Sequence, residues 1–163
     1  MQKVLVTDFS DADQQSVLNV ILPIQQREFG IPITEADQPD LTNIPGFYQS
    51  GTGGFWVART NGEVVGTVGL KDIGQRQAAL RKMFVAAPFR GREFGVAGKL
   101  LDALLAHARA KGVSEIFLGT TEKFLAAHRF YEKNDFVELQ KAELPKAFPI
   151  MVVDSKFYVL KFS

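Results

Sequence analysis

At 163 residues the chain is long enough to bury one substantial core and fits a single domain, expected to span residues 1–163. Its 19 Lys and Arg against 18 Asp and Glu leave a net charge of +1, so no global field selects a nucleic acid or a membrane surface. The lack of cysteine excludes disulfides, thiolate metal sites and a cysteine nucleophile, and two histidines, His107 and His128, argue against a histidine-rich metal centre.

The N-terminal residues are too few before Asp8 for a signal peptide, and no apolar run approaches the length of a membrane span. The cytoplasm is the expected location, with no membrane, nucleic-acid or metal partner.

In chain order, Lys3 to Thr7 reads as a short strand. Ser10 and Asp11 are N-cap candidates for a helix with Val17, Leu18, Ile21 and Leu22 at helical spacing. Pro23 removes a donor and clashes with the preceding turn, so it is expected to kink or split that helix before Gly30 stops it. Residues 31–40, with Pro32 and Pro39, read as a loop, and Leu41 to Gln49 as a short helix weakened by Pro45 and Gly46.

From residue 54 the pattern turns to strands. Gly54 to Arg59, Val64 to Leu70 and Gln77 to Val85 predict an antiparallel meander, its first turn marked by Asn61-Gly62. Gly95 to Lys111 carries leucines at 100, 101, 104 and 105, a helical stripe closed by Gly112. A buried strand over Glu115 to Gly119, a helix over Lys123 to Asn134 and a brief strand over Asp135 to Leu139 follow. A two-proline loop, Leu144 to Pro149, precedes a last strand, Lys156 to Phe162. There Phe157 and Val159 face one way, and Tyr158, Leu160 and Phe162 the other. The order fits one α+β domain on a mixed sheet.

One stretch stands apart. A strand ending Met83-Phe84-Val85 runs through Pro88, Arg90, Gly91 and Arg92 directly into the long helix. Unpaired N–H groups and the positive dipole end at a helix start favour an anion there.

These residues carry a resemblance to the GCN5-related N-acetyltransferase (GNAT) family. Arg92-Glu93-Phe94-Gly95-Val96-Ala97, preceded by Phe84-Val85 and Pro88, resembles the family's Arg/Gln-x-x-Gly-x-Gly/Ala segment. Downstream, Phe130-Tyr131 to Phe136 is similar to its second signature, Phe-Tyr-x-x-x-Gly-Phe, with Asp135 in place of the glycine. A rival register beginning at Arg90 places Glu93 where glycine is expected. Asp tolerates left-handed geometry better than most residues.

The resemblance implies a mostly antiparallel mixed sheet flanked by helices, with a V-shaped opening between central strands that holds acetyl-CoA. It implies that the amides from Arg92 through Ala97 cradle the pyrophosphate, with small residues at Gly95, Ala97 and Gly98. It implies too that Arg90, beside Gly91, or Lys99 reaches the 3′-phosphate, and that Met83 and Val85 offer backbone groups to the pantetheine arm. Tyr131 is the expected general acid for the departing thiolate.

The base stays open among Glu28, Glu35 and Glu122, because Arg81 and Lys82 stand where some members carry a carboxylate. His128 reads as a surface residue and His107 as structural or inert. Acceptor-site liners are expected among Gln25, Glu28, Phe29, Phe55 and Phe148, and Arg81 suits an acceptor bearing a carboxylate. The implied activity is acetyl transfer from acetyl-CoA to a primary amine of a small molecule, an amino acid or related metabolite. A peptide acetyltransferase and a non-catalytic CoA-binding module are the alternatives. A homodimer formed through the C-terminal strand is a further expectation.

Overall fold

The structure, a computed structural model, describes residues 3–91, 94–122, 124–151 and 153–162. Among the described residues seven strands form one sheet: β1 (Val4–Asp8), β2 (Gly54–Thr60), β3 (Glu63–Gly74), β4 (Gln77–Val85), β5 (Glu115–Thr120), β6 (Val137–Leu139) and β7 (Lys156–Lys161). The helices are α1 (Gln14–Pro23), α2 (Pro39–Thr42), α3 (Ile44–Phe47), α4 (Val96–Ala110) and α5 (Leu125–Lys133). The strand order is β1-β2-β3-β4-β5-β7-β6, and every neighbouring pair is antiparallel except β4 with β5. The expected α+β class and mostly antiparallel sheet are therefore present.

Local chemistry explains the connections. Asn61 and Gly62 take φ of 52° and 79°, the two positive values that a tight hairpin turn between β2 and β3 needs. A parallel neighbour requires a crossover, and α4 supplies it between β4 and β5.

Period-2 alternation divides the core between the faces of the sheet. β2 sends Trp56 and Ala58 to one face, where α4 packs Val96, Leu100, Leu101, Leu104 and Ala108, and α5 adds Tyr131. Phe55 and Val57 point the other way, under α1 with its Val17, Leu18 and Ile21. Beyond β4 this second face is closed by Phe148, packed with Ala79, Phe117, Phe157 and Val159.

Pro23 ends α1, and Ile24–Glu28 continues as a wider π-type turn in which Phe29 N–H reaches Ile24 O at 3.0 Å. The single helix expected over 41–49 is instead two. Pro45 has no N–H to give, and the Asn43 side chain restarts the chain as the cap of α3 by accepting from Gly46 N–H at 3.2 Å. Asp135 adopts φ 75° after α5, the left-handed geometry anticipated for it, and the strand begins only at Val137. β7 lies between β5 and β6, so it offers no free edge for pairing across a two-fold axis over its central residues.

Candidate active site at the split in the sheet

β4 and β5 pair only at Gln77↔Glu115, Ala78↔Ile116 and Ala79↔Phe117. Beyond that point β4 stays with β3 while β5 stays with β7, and a V opens between them. A bulge in β4 accompanies the divergence. The β3–β4 register shifts between Gly69↔Arg81 and Thr67↔Phe84, Lys82 takes φ 57°, and the Thr67 hydroxyl donates to Lys82 O at 2.8 Å. A bulge bends its strand and leaves ladder groups unpaired, so an extended ligand can lie along β4 as an added strand.

On the donor side, β4 runs through a short turn at Ala87–Phe89 to Gly95, whose φ of 60° and ψ of 28° are left-handed, and then into α4. Gly95 at the head of α4 has no side chain to cap it, and among the described residues nothing lies within 4 Å of where a Cβ on Gly98 would stand. The amides of the first turn are therefore open to close approach by an anion, which fits a pyrophosphate.

Val96 is core and Phe94 stacks edge-on against Phe89, while Lys99 is exposed. Met83 and Val85 pack on the α4 face and Phe84 on the other. Arg90 is already engaged: Nε donates to Val85 O at 2.7 Å, and its two terminal nitrogens donate to the Glu28 carboxylate at 2.7 and 3.1 Å. Arg92 and Glu93 lie outside the described residues.

The other face holds what the sequence pattern did not display. The bulge turns two consecutive cations toward the same set of neighbours. The Arg81 guanidinium lies 5.4 Å from the Phe47 ring and 3.5 Å from Met151 Sδ, and makes no ion pair among the described residues. Lys82 Nζ donates to Gln38 Oε1 at 2.6 Å and stands 3.8 Å from Asp40, with both side chains of the ion pair only 7% exposed.

A buried network supports this lysine. Gln38 exchanges amide hydrogen bonds with Gln25, and the Tyr48 hydroxyl donates to Asp40 at 2.6 Å. Burial lowers the Lys82 ammonium from its ordinary 10.5 to about 8, against the pull of Asp40. The Tyr48 hydroxyl is pushed well up, mainly by burial.

Across the V stands Asp154. Its Oδ2 accepts from Met151 N–H at 2.9 Å, and it packs so tightly on β5 that a Cβ at Gly119 would lie 2.5 Å from that oxygen. Burial raises this carboxyl above the usual range, while Met151 N–H, Arg81 and Lys82 oppose the shift. No periodicity marks Gln38, Asp40 or Asp154. A short amide–acid spacing in a Pro-containing loop is too common to read.

Several sequence expectations are relocated. Phe55 and Phe148 are core residues, packed on Phe9 and Tyr48 and on Phe157, rather than acceptor liners. Phe29 stacks on Phe124 with centroids 4.1 Å apart, joining the end of the π turn to the start of α5. Glu28 is committed to Arg90, and Glu35 and Glu122 are exposed. His128 is buried rather than on the surface, its Nε2–H donating to Thr121 O at 2.8 Å. His107 is structural as expected, with Nε2 within 3.1 Å of Thr52 O and 2.9 Å of Gly53 O.

Tyr131 is 7% exposed, its ring set among Phe130, Phe136 and Tyr158, and its hydroxyl makes no hydrogen bond with the described residues. Burial raises it, so the proton stays on at neutral pH. A concavity of about 550 Å³ lined by Gln77, Glu115, Glu138 and Glu143 lies at the paired end of β4 and β5, away from the V.

Comparison with known proteins agrees with this geometry. An N-acetylaspartate synthetase from Danio rerio is 35% identical over 106 residues, which are 64% of this chain and 37% of that protein. The chain thus spans well under half the length of that relative. A GNAT-family acetyltransferase from Staphylococcus aureus Mu50 superposes with a TM-score of 0.92 at 36% identity, over 97% of this chain and 98% of that one. The N-acetylglutamate synthase of Neisseria gonorrhoeae, solved with coenzyme A and N-acetylglutamate, shares the fold over 97% of this chain and 35% of its own, with a TM-score of 0.73 at 16% identity. The model of the acetyltransferase (GNAT) family matches residues 18–136, both walls of the V included, and the chain belongs to that family.

Proposed function

We propose that the protein, as a single N-acetyltransferase domain over residues 1–163, moves an acetyl group from acetyl-CoA directly to the primary amine of a small acceptor that carries a carboxylate. An amino acid or close metabolite is the class intended. The observation that carries this reading is the cationic pair on the acceptor face of the bulge: Arg81 makes no ion pair among the described residues, and Lys82 is held beside it by Gln38 and Asp40. An unpaired guanidinium next to an ammonium is a receptor for a carboxylate. The relatives that make N-acetylaspartate or bind N-acetylglutamate act on such amines, which supports the same class.

In this reading the first-turn amides of α4, with Gly95, Val96, Ala97 and Gly98 and the preceding Gly91 to Phe94 loop, hold the pyrophosphate. Lys99, and Arg90 once released from Glu28, supply cations for the remaining phosphate. Met83, Phe84 and Val85 give backbone groups to the pantetheine arm. The bound thioester supplies an acyl carbon open to nucleophilic attack. Tyr131, kept protonated by burial, donates to the sulfur as it departs.

A small acceptor is favoured over a peptide because residues 25–48 are tied down over the acceptor face. Gln26 bonds to Ile33 O, Gln14 to Leu41 O, and Lys82 to Gln38. Thiol release from acetyl-CoA with a panel of acidic amino acids, amines of the same length without any carboxylate and short peptides tests the reading. Acidic amino acids are expected to exceed the carboxylate-free amines at least tenfold in kcat/KM, on the order of one lost charge-assisted contact. Equal rates for the two, or no release with any amine, refute it.

A further inference from the structure

We propose that Asp154 is the general base that takes the proton the acceptor amine must lose; this rests on the acetyl-transfer reading above. Amide formation needs a free lone pair on nitrogen, and an acceptor amine arrives as an ammonium. The group that relieves it has to sit where the amine meets the thioester, beside the V and on the acceptor face. Glu28 is paired with Arg90 and Glu35 is exposed, so neither fills that place.

Asp154 does. Its carboxylate rests on the backbone of β5 at Gly119, the first stretch of that strand beyond its pairing with β4. A Cβ there would lie 2.5 Å from Oδ2 and 2.7 Å from Cγ, so glycine is what lets the carboxylate reach the strand. Ser155 N–H bonds to Thr120 O at 2.8 Å and fixes the following residue to the same strand end. Only Oδ2 is occupied among the described residues, by Met151 N–H, which leaves Oδ1 for a ligand.

Asp154 N–H also bonds to Met151 O at 3.0 Å, so part of its role is to close a turn. A turn aspartate has no need to leave the solvent. This one is packed against β5, facing the two cations that β4 presents. The charges bearing on it are Arg81 and Lys82, with Asp40 behind the lysine, whereas Gly119 of β5 and Phe157 of β7 bring none. Burial lifts the carboxyl above its ordinary value, which makes it a stronger base.

The arrangement also separates the acceptor's two ends. Arg81 and Lys82 on β4 take its carboxylate, and Asp154 on the opposite wall takes its ammonium. Asp154 accepts one ammonium proton and passes it to solvent, and the freed nitrogen lone pair forms the C–N bond. The C–S bond breaks, the thiolate takes the Tyr131 proton, and the second proton on nitrogen restores Tyr131. Ammonium and thioester thus become amide, thiol and one proton in solution.

The test is the pH dependence of kcat in wild type, Asp154→Asn and Lys82→Met, with acetyl-CoA and the amine that the panel selects. Asp154→Asn is expected to lower kcat about 100-fold, at the low end for general-base loss, with coenzyme A binding by calorimetry unchanged. The acid-side inflection should vanish in that variant. Lys82→Met should move the same inflection to higher pH, because a cation that favours the carboxylate is gone.

An inflection that persists in Asp154→Asn, or a kcat within threefold of wild type, overturns the proposal. If Asp154→Asn fails to bind coenzyme A, the Lys82→Met profile decides, and an unmoved inflection there overturns it. Absence of thiol release from wild type with every amine instead sinks the acetyl-transfer reading, and this base with it.

Discussion

The two walls of the V are neighbouring parallel strands that behave differently. β5 is regular: it pairs with β7 at every residue from Glu115 to Thr120, and its free side carries a glycine at the critical point. β4 is irregular: it loses register against β3, holds a lysine at positive φ, and turns Arg81 and Lys82 into one neighbourhood. The cationic wall is thus the bent one and the anionic wall the straight one. A regular β4 would alternate its side chains, send one of the two cations to the α4 face, and keep its pairing with β5. The difference suggests that the irregularity, rather than the residue types alone, makes the site.

The contrast can be broken at several points. Tyr131→Phe removes the proposed acid and is expected to lower kcat about 100-fold with coenzyme A affinity unchanged, as calorimetry and steady-state kinetics would read. Unaltered turnover would leave Tyr131 as a core residue only. Arg81→Met strips the cationic wall of its unpaired charge. The KM for an acidic amine should rise roughly 10- to 100-fold, the loss of a hydrogen bond to a charged group of about 1.5–3 kcal/mol. An amine without any carboxylate should be indifferent to it.

Stability against pH sharpens the same wall. Lys82 is held at about 8 in the folded chain against an ordinary 10.5. Below pH 8 it is charged in both states, and the burial penalty is present in full. Between 8 and 10.5 the unfolded chain binds more protons, so this lysine's contribution to stability rises with pH. Urea unfolding across that window should show the rise in wild type and a flatter course in Lys82→Met.

The smallest effect is expected at the rim. Glu28→Gln unties Arg90 from a half-exposed ion pair and should cost no more than about 1 kcal/mol. Coenzyme A should then bind a few-fold tighter, as the guanidinium becomes available; unchanged affinity would make Arg90 a strut between Val85 and Glu28.

Much of this molecule was legible before any coordinates. The meander, the long crossover helix and the alternating last strand follow from hydrophobic period and from turn residues such as Asn61-Gly62, because local sterics and a buried face dictate them. Asp135 in left-handed geometry followed from its position. The start of α4 is legible for the same reason: a glycine at a helix start is a local device, and Gly95 is left-handed there.

The acceptor side was not. Gln38 and Asp40 lie over 40 residues from Lys82 in the chain, and Asp154 more than 70 from it, and each looks like an ordinary loop residue. The burial of His128 is hidden in the sequence because α5 buries a face that its charged neighbours conceal.

By itself, then, the sequence determined the order of elements, the two faces of the sheet and the glycine-bearing start of α4, all of which arise from interactions within a few residues. Tertiary structure alone decided that β4 bends at Lys82, that Arg81 and Lys82 turn to one side of the sheet, and that Asp154 lies on Gly119, across the V from them. Those depend on packing and hydrogen bonds between distant segments, and on a backbone angle that a lysine adopts only when its surroundings hold it there.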